Sequence, residues 1–86
     1  MRKPNNPIEI AISAHVGRRL RLARKVAGID DELFAARLGI HRSMLGRMEN
    51  GNVLLTAPRL FRAAAILNRS TDWFFEEMSL GTGRRL

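Results

Sequence analysis

Apolar residues recur every three or four positions through most of the chain, and helix-stopping and helix-starting residues stand between those runs. The first run, Ile8, Ile12, Val16, Leu20, Ala23 and Ala27, predicts a helix that begins at Pro7 behind an Asn6 cap and stops at Gly28. Ile8, Ile10 and Ile12 also alternate with period two, which fits a short dimer-forming strand followed by a helix capped at Ser13. A second helix opens at the Asp30 cap, sets Asp31 and Glu32 at the positive end of its dipole, turns Phe34, Ala35 and Leu38 inward and stops at Gly39. The third runs from about Arg42 to Glu49. Ile40, Met44, Leu45 and Met48 share its core side, Arg42, Ser43, Gly46 and Arg47 lie opposite, and Gly51 supplies a left-handed end. After a loop over 52–55, Thr56 caps a fourth helix, with Pro58 in its first turn and Leu60, Ala63, Ala64 and Leu67 inside. Ser70 caps a fifth, from Thr71 to about Met78.

These signals predict one all-α domain of five helices over residues 7–80, between a flexible arm (1–6) and a flexible tail (81–86). A chain of 86 residues buries only about 60% of its unfolded surface, so a small core is expected and a deep substrate pocket is not. The second and third helices, joined at Gly39-Ile40, form a helix-turn-helix. Ala35 must be small where the two cross, Gly39 must reverse the chain, and Ile40 and Leu45 must fill the shared core.

Charge sharpens this picture. Fifteen lysines and arginines against eight acids give a net charge of +7, and thirteen of the cations are arginine. A guanidinium pairs bidentately with phosphate or guanine where an ammonium acts as a point charge, so the bias favours nucleic acid. A GC-rich genome produces the same bias, which makes placement more informative than number. Arg42 and Arg47 stand on the outward face of the third helix, where two such forks can read guanine edges in a major groove.

Cysteine is absent, which excludes disulfides, thiolate zinc sites and a thiol nucleophile. No sustained apolar run follows the N-terminus, so neither a signal peptide nor a membrane span is expected, and a cytoplasmic location is. Catalysis has little to draw on. His15 and His41 are far apart, tyrosine is absent, Asp30-Asp31-Glu32 is accounted for as a helix start, and no metal-ligand spacing occurs. The expectation is a non-enzyme without metal or cofactor.

Val16-Gly17-Arg18-Arg19-Leu20-Arg21, Arg24, Gly28-Ile29, Ala35, Leu38-Gly39-Ile40, Leu45, Glu49-Asn50-Gly51, Leu60, Ala64, Leu67 and Asp72-Trp73-Phe74-Phe75 form a series in register. On these residues the chain resembles the phage-repressor and Cro-like helix-turn-helix family, also called the xenobiotic-response-element type, over roughly 16–77. The resemblance implies a five-helix lambda-repressor-like domain that binds double-stranded operator DNA as a homodimer and controls transcription, repression being favoured by analogy. It puts base reading on Arg42, Ser43 and Arg47, sets His41 near the DNA backbone, makes Asn50 a phosphate donor, and pairs Arg24 with Glu49 in an internal salt bridge.

Arg18, Arg19, Arg21 and Lys25 form a basic run that either flanks the duplex backbone or confers solubility; Arg59 and Arg62 are weaker phosphate candidates of the same kind. The chain departs from the family pattern at three places. Asp31 replaces a glutamine that touches the DNA backbone, Gly46 lies inside the reading helix, and Leu33 takes a usually polar surface position. One helix cannot bury Trp73, Phe74 and Phe75 against a single core. Trp73 or Phe74 is expected to turn inward, and the remainder of the set Trp73, Phe74, Phe75, Met78 and Leu80 to form a homodimer surface. The rival reading is a protein-binding module, such as the antitoxin of a toxin pair, that grips a protein partner with these aromatics and binds DNA secondarily.

Overall fold

A computed structural model of the protein describes residues 2–78. Four α-helices follow in order, α1 (Pro7–Val26), α2 (Asp31–Leu38), α3 (Arg42–Glu49) and α4 (Ala57–Leu67), and a 3-10 helix (Thr71–Phe75) closes the series. The expected fifth α-helix is therefore corrected to a short 3-10 segment. Ser70 caps it, with the Ser70 side chain accepting from Trp73 N–H, but Glu76 is already extended and Glu77 has a φ of +62°, so no α-helical turn propagates. Leu80 and the proposed tail over 81–86 lie outside the described residues.

The strand alternative for residues 8–12 is not what forms. Asn6 Oδ1 accepts from Glu9 N–H at 2.9 Å and Asn6 O accepts from Ile10 N–H at 2.9 Å, so the helix starts at Pro7, and Ser13 is a buried mid-helix residue. Ile8 and Ile10 remain exposed. So does Ala27, which is the C-cap and not part of the buried stripe, because α1 ends one residue before it.

Val16 and Leu20 of α1, Phe34 and Leu38 of α2, Leu45 and Met48 of α3, and Phe74 meet in one buried cluster. Two glycines set how closely α1 and α3 approach. A Cβ on Gly17 would lie 2.5 Å from the carbonyl oxygen of Met48 and 2.6 Å from that of Glu49. At Gly51, where φ is +79°, a Cβ would lie 2.7 Å from the Ala14 Cα. Backbone rests on backbone there, and only glycine permits it.

The arm, expected to fray, is held over residues 2–6. Leu54 N–H donates to Arg2 O at 2.9 Å, and Arg2 Nη2 meets Glu9 Oε2 at 3.1 Å. The sequence offered no local signal for this, because Leu54 is fifty-two positions away from Arg2.

Candidate nucleic-acid interface

α3 is short, and its ends explain its placement. His41 is the N-cap: its Nδ1 accepts from Ser43 N–H at 3.2 Å and lies 2.9 Å from Ser43 Oγ. An accepting Nδ1 carries no proton, so Nε2–H is the donor that the neutral ring retains. At the other end, Asn50 N–H bonds back to Gly46 O and Gly51 takes the left-handed conformation. α2 reaches the turn through Gly39, whose φ of +74° reverses the chain, and Ile40 N–H then bonds to Ala35 O at 3.0 Å.

Leu45, Met48 and Glu49 of α3 are buried, while His41, Arg42, Ser43, Gly46, Arg47 and Asn50 are exposed. The three expected base-reading side chains thus share one open face. Gly46 lies among them with nothing within 4 Å of where its Cβ would be, so packing inside the protein does not require a glycine there. Arg42 carries a contact that sequence reasoning missed: its Nη1 lies 3.8 Å from Glu32 Oε2 of α2. Both side chains are well exposed, so the attraction is weak and the carboxylate is a readily displaced competitor for the guanidinium.

At the C-terminal end of α3, Arg24 Nε donates to Glu49 Oε2 at 2.7 Å and Arg24 Nη2 to Glu49 Oε1 at 3.1 Å, while Nη1 donates to Ile29 O at 3.1 Å. Only 11% of the arginine side chain and 7% of the glutamate remain exposed. The hydrogen bonds to Glu49 hold the Arg24 guanidinium above the ordinary arginine value; burial opposes this, and the charges of Glu49, Asp31 and Asp30 add to the rise. Asp31, the residue that departs most from the family pattern, is exposed at the first position of α2 and contributes its field to Arg24.

Arg19 requires correction as a DNA-backbone residue. Its Nε and Nη2 donate to Trp73 O at 3.1 and 2.7 Å, its guanidinium carbon lies 3.9 Å from the Trp73 ring centroid, and Glu76 Oε1 is 3.3 Å from Nη2. Those contacts leave the Arg19 side chain 15% exposed and spend its charge on the 3-10 helix. His15, one turn earlier on α1, places Nε2 at 2.8 Å from Glu76 O. Arg18 and Arg62 are exposed, and Arg59 is half-buried at the start of α4 beside Leu38.

The dimer surface also changes. Phe74 is fully buried and is withdrawn from it, because it fills the core between α1 and α4. Trp73 is half-buried, with Arg19 on its ring and Arg69 at 4.4 Å from the centroid, and Met78 packs partly against the core. Phe75 stays 41% exposed, and Phe61 of α4, which the sequence reading did not single out, is 70% exposed. An aromatic one step off the stripe Leu60, Ala63, Ala64 and Leu67 was the available signal. No helix among the described residues is long and apolar enough to cross a membrane.

The helix-turn-helix family model HTH_3 matches residues 20–74. An uncharacterized HTH-type transcriptional regulator of Bacillus subtilis, YazB, is 48% identical over 56 residues, 65% of this chain and 81% of that protein. An uncharacterized transcriptional regulator in the ATPase CF(0) region of Rhodospirillum rubrum is 33% identical over 73 residues, 85% of this chain and 68% of the relative. Among solved structures, an HTH_3 family transcriptional regulator from Vibrio cholerae superposes with a TM-score of 0.70 at 27% identity, over 78% of this chain but 38% of that one. The chain thus spans well under half the length of that structure. From the matched residues and the shared two-helix geometry, this protein belongs to the HTH_3 helix-turn-helix family.

Proposed function

We propose that this protein is a sequence-specific DNA-binding transcription regulator of the cytoplasm, which inserts α3 into the major groove and binds a palindromic operator as a homodimer, acting as a repressor. The observation that carries the reading is the division of α3 into a buried side, Leu45, Met48 and Glu49, and an open side bearing Arg42, Ser43 and Arg47. Curated relatives named as transcriptional regulators support it. Arg42 and Arg47 read guanine through bidentate hydrogen bonds. Ser43 contributes from the N-terminal turn, and Asn50, His41 Nε2, Arg18, Arg59 and Arg62 supply phosphate contacts. Twofold pairing presents two copies of α3 to successive half-sites, and Phe61 and Phe75 provide apolar area for it.

Fluorescence anisotropy with duplexes selected from random sequence, measured across a salt series, tests the proposal. Contact with about six phosphates gives a log-log slope near −5. Sequence-blind binding that is weak and insensitive to salt rejects it. Exposed Phe61 and Leu33 favour, as a second reading, a surface for another protein. Under that reading Phe61→Ser abolishes partner capture and leaves DNA affinity unchanged, whereas loss of dimer and of cooperative DNA binding together supports the first.

A further inference from the structure

We infer that the N-terminal arm is a second DNA-contacting element, in which Lys3 holds a backbone phosphate beside the site of α3. The inference rests on the DNA-binding reading above and adds a site to it.

Lys3 opens onto the same cleft, about 460 Å³, as Met44, Arg47, Asn52 and Val53. Two residues of α3 and the first two residues of the following loop beyond Gly51 thus share a wall with the arm. The segment over 52–55 carries no charge of its own, so the cations on this cleft are Arg47 and Lys3. The arm is also fixed in position. Leu54 N–H donates to Arg2 O, and Glu9 engages both ends of the segment before α1, with Oε2 on Arg2 Nη2 at 3.1 Å and Oε1 accepting from Asn5 N–H at 3.4 Å.

The charge pattern within the arm is what points to a ligand. Arg2 is neutralised by Glu9, whereas Lys3 has no carboxylate partner among the described residues, and neither has Arg47. Two uncompensated cations on one cleft repel each other in the free protein, and a polyanion lying along that cleft relieves the repulsion. Asn52, exposed on the same wall, offers an amide donor with no competing internal acceptor among the described residues. A duplex whose major groove receives α3 brings a phosphate strand past the end of that helix, and an ammonium at Lys3 can hold one of its phosphates as a point charge. Because phosphate is common to every sequence, Lys3 adds affinity and not base preference.

The test compares the parent chain with Lys3→Gln on selected duplexes between about 50 and 200 mM salt, with Arg37→Gln, exposed in the last turn of α2 and outside the proposed contacts, as a control for net charge. Loss of one phosphate contact lowers the magnitude of the salt slope by about 0.9, so the parent's advantage over Lys3→Gln shrinks about three- to fourfold over that range and is equal on selected and scrambled DNA. An equal effect from Arg37→Gln, or none from Lys3→Gln while the parent still binds steeply, overturns the arm site and leaves the function standing. A parent that fails to bind DNA overturns both. Since the sequence has no cysteine, Lys3→Cys provides a unique thiol for an iron-EDTA cleavage probe. Strand cuts confined to the flank of each half-site support the site, and an absence of cuts removes it.

Discussion

Arg24 on α1 and Glu49 on α3 are joined by two side-chain hydrogen bonds, at 2.7 and 3.1 Å, although twenty-five residues separate them. The pair ties the buried C-terminal end of α3 to α1. Removing one partner strands a nearly buried charge, so Arg24→Ala is expected to cost about 3 kcal/mol in urea denaturation. Arg24→Met combined with Glu49→Leu should cost less than either half, because no charge is left uncompensated. Since Arg24's folded value is raised, its contribution is fully present below the unfolded value and is lost only as pH climbs through the folded one. Stability supplied from the arginine side is therefore flat over the neutral range.

Gly17 and Gly46 are both helical glycines, and their alanine variants should move stability in opposite directions. At Gly17 the new methyl meets the fixed carbonyls of Met48 and Glu49, which must give way. A loss of about 1–3 kcal/mol is expected from the overpacking. At Gly46 there is open space, so alanine recovers its helix propensity, about 1 kcal/mol, and raises Tm by about 4–8 °C. Two thermal melts decide the matter.

Arg19→Ala should free the 3-10 helix from α1. It removes both hydrogen bonds to Trp73 O and the cation over the ring, at a cost of about 1–2 kcal/mol. Trp73 is the single tryptophan, so its emission should shift to the red while far-ultraviolet dichroism changes little. An unshifted spectrum would show that His15 and the Phe74 anchor suffice.

Glu32→Gln should strengthen DNA binding. It takes away a carboxylate 3.8 Å from Arg42 and one negative charge near the expected phosphates, for a gain of about two- to fivefold at low salt. The gain should fade as added salt screens the interaction. Thermal stability should be nearly unaltered, because both side chains are solvent-exposed.

Arg47→Ala should weaken binding to the preferred duplex by about 1–3 kcal/mol and relax the preference at one base pair. Arg62→Ala should instead lower affinity alike on every duplex. Anisotropy against a panel of single-base variants separates the two patterns.

Local rules made much of the architecture legible. Asn6, Asp30, Thr56 and Ser70 each act as the caps that their sequence positions predict, because capping depends on residues three apart. Gly39 and Gly51 take positive φ for the same local reason. The Arg24 and Glu49 pairing came through the family register, not through any rule of spacing. What escaped was set by side chains meeting from distant segments. Arg19 looked like one more cation in a basic run until Trp73 was folded onto it. Arg2 finds Leu54 only once α3 and α4 have been assembled. His41 as a cap was hidden for another reason: imidazole is an uncommon capping group, and its role depends on which ring nitrogen is bare. Three aromatics in a row gave no direction of their own; a 3-10 segment separates successive side chains by about 120°, so Phe74 turns inward and its neighbours do not.

The glycine seat beneath α3 has a mechanical corollary. A two-turn rod whose C-terminal end rests directly on another rod's peptide groups has little freedom to slide there when it meets a target. In a complex with DNA, most of the accommodation would then fall to the double helix, and bases beyond the protein's reach would be selected for how easily they twist and bend.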